Sequence, residues 1–303
     1  MRTAGRSRPG PLSTVVVTGS AGMLGQEVTR AAPAWARVVP LTRADADLSS
    51  AEQARATLTA AMPDVIIHCA AFTDVDGATR DPAAAWRGNA VATRHVAQVA
   101  EELGSRLLHI STDYVFDGSG TTPYTEAAAP RPLNAYGASK LAAEREATRA
   151  AGWLVVRTQW LFGAGGRNFI CAVLEAARAG RPLRVVHDEW GSPTYAPDLA
   201  AALWRLLETP ATDIVHLTNA GVCSRLELAR HALQQAGLGH VEVTGIPASE
   251  WPSPTRRPRN AVLASARVQA LGIHPLRDWR AAVSDYVGAL RERWDEGKAG
   301  SER

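Results

Sequence analysis

The run Thr14-Val-Val-Val-Thr-Gly19-Ser-Ala-Gly22-Met-Leu-Gly25 constrains this chain more than any other. Five β-branched residues in a row favour a strand with no solvated face. Three glycines follow as G-x-x-G-x-x-G, and a helical stretch over about Met23–Ala32 begins inside the pattern. A turn this tight needs residues without a Cβ, and the helix start beyond it offers free N–H groups and a favourable dipole to an anion. Strand, glycine turn and helix in that order predict a Rossmann-type fold with a dinucleotide diphosphate lying over Gly19, Ser20, Gly22 and Gly25.

The rest of the first half keeps that rhythm. Strands are expected at Thr14–Thr18, Val38–Leu41, Asp64–His68, Arg106–Ser111, Leu154–Thr158 and a short Arg184–Val186. Helical segments lie between them at about Ala51–Ala60, Asp81–Leu103, Ser139–Ala151 and Asn168–Ala179. The alternation gives βαβ units, hence an α/β doubly wound parallel sheet. After about residue 160 Pro182, Pro193, Pro197 and Pro210 break the pattern, and Trp251–Asn260 reads as a Pro/Arg-rich loop. Helices near Ser224–Ala236 and Asp278–Arg293 close the chain. Residues 1–13 are expected to be a disordered extension, 14–160 with returning segments a dinucleotide-binding domain, and 161–303 mainly a smaller, interleaved substrate-binding region.

Composition excludes several classes. With 33 basic and 30 acidic side chains there is no concentrated positive stripe for nucleic acid. No stretch approaches the roughly 20 apolar residues a membrane helix needs. Cys69, Cys171 and Cys223 are far apart and odd in number, so they form neither a metal set nor a disulfide framework and suit a reducing cytoplasm.

Chemistry-bearing residues cluster at strand ends. After the second strand, Val38-Val-Pro-Leu-Thr-Arg43 ends on a cation where NAD enzymes carry an acid, so Arg43 suits the 2′-phosphate of NADPH; NADH is left open. Asp47-Leu48 is a pair placed to bracket an adenine. The run Ile110-Ser111-Thr112-Asp113-Tyr114-Val115-Phe116 ends an apolar strand, where open α/β sheets place ligands. Beyond it, Tyr136 and Lys140 stand four apart at a helix start, on one face. A neighbouring ammonium and an oxidised nicotinamide both favour a phenolate, lowering a phenol pKa of about 10. Tyr136 is then the proton donor to a carbonyl oxygen and Thr112 a second hydrogen bond to it.

These motifs, with His68-Cys-Ala-Ala-Phe-Thr-Asp-Val-Asp76, Arg157-Thr-Gln-Trp160, Asp188-Glu-Trp-Gly-Ser-Pro-Thr194 and Trp251-Pro-Ser-Pro-Thr-Arg-Arg-Pro-Arg-Asn260, closely resemble the dTDP-4-dehydrorhamnose reductase family of extended short-chain dehydrogenases. The resemblance runs from residue 14 over nearly the whole chain. It implies hydride transfer from NADPH to the 4-keto carbon of a dTDP-linked 4-keto-6-deoxy sugar, with Thr112, Tyr136 and Lys140 as the catalytic set. It puts Val75, Asp113 and Tyr114 beside the substrate, Trp160 against the deoxysugar, and Asn168, Arg256 and Arg257 at the nucleotide end. Gly19, Ser20, Met23, Leu24, Asp47 and Leu48 match cofactor-lining positions, as do Ala70, Ala71 and Thr73. Asn89 matches a helix asparagine near the active site.

Three departures stand out. Gln159 replaces the serine usual before Trp160, and Thr79 replaces an acid. Glu27 matches a magnesium position but Pro197 takes another, so neither the metal nor the dimer it bridges is expected; a homodimer of another kind is left open. Two other functions share the fold: a non-catalytic subunit like the regulatory partner of methionine adenosyltransferase, which would not need Thr112, Tyr136 and Lys140 together, and a nucleotide-sugar epimerase or dehydratase. A dehydratase wants an Asp-Glu pair after the threonine, and here Tyr114 follows Asp113.

Overall fold

Val15, Val16 and Val17 of strand β1 (Ser13–Thr18) are all closed to solvent, and they bury on opposite faces of one sheet. In this computed structural model, which describes residues 12–301, Val15 and Val17 pack with Leu24 and Val28 of helix α1 (Met23–Arg30) and with a second helix contributed from beyond residue 195. Val16 joins Ile66, Leu58, Val96 and Leu107 in a separate cluster on the other face. Two helical covers explain why the strands are apolar runs and not alternating ones.

The chain continues through β2 (Ala36–Leu41), α2 (Ala51–Ala61), β3 (Val65–His68), α3 (Val75–Arg80), α4 (Pro82–Trp86), a π-helical turn at Arg87–Val91, and α5 (Ala92–Leu103). Then come β4 (Arg106–Thr112), α6 (Ala135–Ala147), β5 (Leu154–Thr158), α7 (Phe169–Arg178), α8 (Ala196–Leu207) and α9 (Arg225–Gln235). Six parallel strands lie in the order β2-β1-β3-β4-β5 and Ile214–His216. The order reverses between β1 and β3, so the crevice beyond their carboxyl ends is the switch point where such sheets bind ligands.

A third cluster lies apart from the sheet and is built by Ile170, Leu174, Leu183, Leu228, Trp279 and Tyr286, among others. The later residues are nonetheless divided: α8, Leu217, Val268 and Leu276 pack on the sheet.

Several boundaries differ from expectation. The expected disordered segment 1–13 falls mostly outside the described residues, and Ser13 already opens β1. Pro197 does not break the chain; it sits in the first turn of α8, where no N–H is needed. The expected helix Asp81–Leu103 is three consecutive pieces, with the π turn in its middle. Helix α6 begins at Ala135 because Asn134 caps it through Gly137 N (2.9 Å), which puts Tyr136 in its first turn. Among the described residues no helix is long and apolar enough to cross a membrane.

Candidate active site

The glycine turn closes around its own backbone. Gly19 has φ +65°, and a Cβ there would lie 2.6 Å from the Ala70 amide nitrogen. One at Gly25 would lie 2.2 Å from the Gly19 carbonyl oxygen. Gly22 ends the turn as the N-cap of α1 and has no side chain to cap the first-turn amides. That leaves the site a diphosphate needs: backbone N–H groups approached from outside, with no Cβ in the way. Ser20 and Leu24 are buried, Met23 is half-buried, and Gly163 and Gly166 lie over Met23.

At the end of β2, Arg43 is exposed and has no hydrogen-bond or ion-pair partner among the described residues. The neighbouring acids are occupied. Asp45 accepts from Thr42 N and Oγ1 (both 2.7 Å), and Asp47 from Ser49 N (2.9 Å) and Oγ (2.8 Å), bonds that hold both carboxyls below their ordinary range. The Leu48 side chain is turned into the core cluster with Leu58. Ala70 is half-buried against Gly19, whereas Ala71 and Thr73 are exposed on the same loop. Asn89, inside the π turn, accepts from Phe72 N (2.8 Å) and donates to Phe72 O (3.1 Å) and Ser139 Oγ (2.9 Å). Ser139 in turn donates to the Tyr136 carbonyl (2.7 Å), so this amide fastens the loop after β3 to the helix that carries Tyr136. A π turn at such a place is a frequent mark of a functional site.

The structure brings the expected proton-transfer residues together at the carboxyl end of β4. Thr112 Oγ1 donates to Asp113 Oδ1 (2.9 Å) and accepts from Tyr114 N (3.2 Å). The Tyr136 ring is buried against Tyr114, edge to face at 5.3 Å between centroids, with Val75 and Phe72 in the same cluster. Lys140 Nζ donates to the Ile110 carbonyl (2.7 Å) and lies 3.2 Å from His109 Nε2. Burial holds His109 well below its ordinary pKa, with Lys140 and His68 adding to the effect, so the ring is neutral. Burial brings Lys140 itself down to about 8.

One expectation is corrected. The Tyr136 phenol is not lowered but raised above its ordinary value, first by burial and then by the Asp113 carboxyl, while the neighbouring Thr112 hydroxyl draws it partway back. Lys140 directs its hydrogen bonds at β4.

Asp113 is 2% exposed, and burial raises its carboxyl to about 6 against the pull of Thr112 and Gln159. Gln159 explains its own departure from the family pattern. Its Nε2 donates to the Ala261 carbonyl (3.1 Å) and to Asp113 Oδ2 (3.4 Å), and its Oε1 accepts from Ser192 N (2.8 Å). A single buried amide thus ties the end of β4 to two later loops.

Trp160 holds φ +47°, a left-handed conformation unusual for a bulky residue. Its ring packs against Gly191, where a Cβ would stand 2.6 Å from Trp160 Cε2, and beneath the Arg225 guanidinium, 3.6 Å from the ring centroid. Arg257 pairs with Asp76 (3.1 Å) and donates to Ser253 Oγ (2.8 Å), while Thr79, the other departure, bonds Thr255 (2.7 Å) in the same loop. Arg256 is exposed beside it, and its carbonyl accepts from Asn134 Nδ2 (2.9 Å). Asn168 is committed elsewhere: it caps α7 through Cys171 N (3.1 Å) and donates to Gly163 O (3.0 Å) and Tyr286 Oη (2.8 Å). Arg225, Glu189 and His109 were not singled out in the sequence. Arg225 stands over Trp160 with Glu189 beside it, and His109 lies against Lys140, contacts that no local motif records.

A parallel sheet with a dinucleotide turn at its switch point, and a hydroxyl, a phenol and an ammonium at the end of β4, define a Rossmann-type oxidoreductase. The model of the RmlD substrate-binding domain matches residues 13–292, and the chain belongs to that family. It is 37% identical over 287 residues to a dTDP-4-dehydrorhamnose reductase of Burkholderia thailandensis, covering 89% of this chain and 96% of the relative. It is 35% identical over 272 residues to a dTDP-4-keto-6-deoxy-D-glucose reductase of Streptomyces niveus, covering 89% and 94%. The crystal structure of dTDP-4-dehydrorhamnose reductase from Bacillus anthracis in complex with NADP is similar with a TM-score of 0.88 at 30% identity, covering 91% of this chain and 98% of that one.

Proposed function

We propose that the chain reduces the 4-keto group of a dTDP-linked 4-keto-6-deoxy sugar with NADPH, giving dTDP-L-rhamnose or a related deoxysugar for a cell-wall glycan or an antibiotic. The observation that carries it is the buried Tyr136 phenol beside the Thr112 hydroxyl, held protonated at the carboxyl end of β4. NADPH, when bound, supplies the hydride. Gly19, Ser20, Gly22 and Gly25 hold its diphosphate, and Met23, Leu24, Ala70, Ala71 and Thr73 line the same crevice. Arg43, the unpaired cation at the end of β2, takes the 2′-phosphate, with Asp47 and Leu48 near the adenine.

A group that gives a proton to a ketone oxygen must begin the reaction protonated, and a raised phenol does so at neutral pH. Tyr136 donates that proton while Thr112 hydrogen-bonds the same oxygen, and the ketone becomes an alcohol. Lys140, mostly charged at neutral pH and anchored on Ile110 and His109, stands one helical turn beyond Tyr136 as the cation of the set. Val75, Asp113, Tyr114 and Trp160 border the sugar, and Arg256 and Arg257 meet the diphosphate with forked donors. Asn168 supports that end through its cap on α7. The region built on Ile170, Leu228 and Tyr286 closes the cleft over the sugar. The protein works in the cytoplasm, as a monomer or a homodimer.

The test is NADPH consumption with a dTDP-4-keto-6-deoxyhexose by the wild type and by Tyr136→Phe. Loss of the general acid lowers kcat by roughly 100-fold or more, with NADPH affinity kept. Equal turnover by both proteins would overturn the assignment.

A further inference from the structure

Arg225 is the first helical residue of α9, set there by the Ser224–Glu227 capping box and by its own amide donating to the Glu189 carbonyl (3.2 Å). Its side chain is only 17% exposed. The guanidinium lies flat enough to hold 3.6 Å from the Trp160 centroid and 5.1 Å from that of Phe169. Stacking of this kind satisfies the face of the cation and leaves its N–H edges free.

Those edges lack acceptors. An arginine carries five N–H donors, yet the nearest carboxylate oxygen, Glu189 Oε2, is 3.8 Å from Nε, too far for a hydrogen bond. Among the described residues no acceptor takes a hydrogen bond from this side chain. The neighbouring arginines differ: Arg257 is bound to Asp76 and Ser253, and Arg259 to Asp188 (3.1 Å). Arg225 is absent from the buried donors that lack a partner among the described residues, so its N–H edges reach solvent and can take an acceptor that enters beside Trp160. Asp113 and Tyr114 stand close enough to influence it electrostatically, which puts it on the sugar side of Tyr136 and not at the glycine turn.

We infer that Arg225 and Trp160 together form a hexose subsite, in which the guanidinium donates to an oxygen substituent of the sugar ring other than the reacting carbonyl, making Arg225 a specificity-determining residue. The inference rests on the nucleotide-sugar reading above for its ligand. A neutral, oxygen-rich ring fits the free N–H edges beside an indole.

Binding, not turnover, tests this. The wild type, Arg225→Gln and Arg225→Lys are titrated calorimetrically with dTDP and with dTDP-L-rhamnose, and NADPH affinity is read alongside as a check on the fold. Arg225→Gln is expected to weaken dTDP-L-rhamnose about ten-fold or more while dTDP stays within about two-fold of wild type. Arg225→Lys keeps the charge but loses the fork, and is expected to fall between; it carries the comparison if the glutamine variant does not fold. Equal weakening of dTDP and dTDP-L-rhamnose would place Arg225 on the diphosphate and overturn the inference, as would no change in either. A wild type that binds dTDP-L-rhamnose by this pattern yet reduces no keto sugar would sink the reductase reading and leave the subsite standing.

Discussion

Asp113→Asn is the substitution whose consequence can be worked furthest. Burial lifts the carboxyl from 3.8 to about 6, and at about 1.4 kcal/mol per pKa unit its ionisation costs the folded state roughly 3 kcal/mol. The folded carboxyl holds its proton more tightly than the unfolded one. Its contribution to stability is therefore complete below pH 3.8 and is lost as the pH rises through about 6. Between pH 5 and pH 8 the loss amounts to about 1.4 kcal/mol. Asparagine carries no charge at either pH, so the variant's stability relative to wild type should rise by that amount between the two. The buried His68 and His216, both depressed to about 3, titrate with the opposite sign, but they are common to both proteins and cancel in the difference. Urea unfolding at pH 5, 6, 7 and 8 measures it. A stability difference that is constant with pH, or that moves against the variant as pH rises, would show that Asp113 does not hold a raised pKa.

Other substitutions probe separate parts of the molecule. Arg43→Ala should lower the NADPH/NADH ratio of kcat/KM about ten-fold or more, since a charged hydrogen bond to phosphate is worth about 1.5–3 kcal/mol; an unchanged ratio removes Arg43 from the cofactor site. Glu144 makes two bonds to Arg157 (2.8 and 2.7 Å) and accepts from Ser111 (2.6 Å), with both charged side chains at most 3% exposed. Glu144→Gln strands the arginine and should cost about 3–5 kcal/mol, seen as a drop of about 10 °C in Tm; a drop under about 2 °C would refute the pairing. Gly25→Ala forces a Cβ onto the Gly19 carbonyl and should raise the NADPH KM at least about ten-fold, whereas Gly180→Ala, with φ +64° but open space around it, should lose only stability.

The parts of the fold legible in the sequence were those set by local chemistry. Five β-branched residues and three glycines define β1, its turn and α1 without help from elsewhere. Thr112 and Tyr136 were legible because strand ends and helix starts carry their own signals. The strand Ile214–His216 was not: three residues give no periodicity, and only pairing with β5 makes them a strand. Helix α8 was hidden by Pro197, which reads as a break until its place in the first turn is known. Gln159 was visible as a departure, yet its three bonds reach Asp113, Ser192 and Ala261, residues no spacing connects to it. The raised phenol of Tyr136 was not legible because burial is a property of the assembled site and no local spacing records it.

The sixth strand has a consequence for how the protein is made. Ribosomes release the chain in order, and β5 emerges with one edge unpaired until Ile214–His216 follows it. The 55 residues from 159 to 213 intervene, so at about 5–20 residues per second that edge stands open for roughly 3–11 s. Leu154, Val155 and Val156 on it are wholly apolar, the composition that draws in foreign strands. Truncation near residue 160, which looks like a domain boundary, would make that interval permanent and yield an aggregating fragment in place of an isolated cofactor domain.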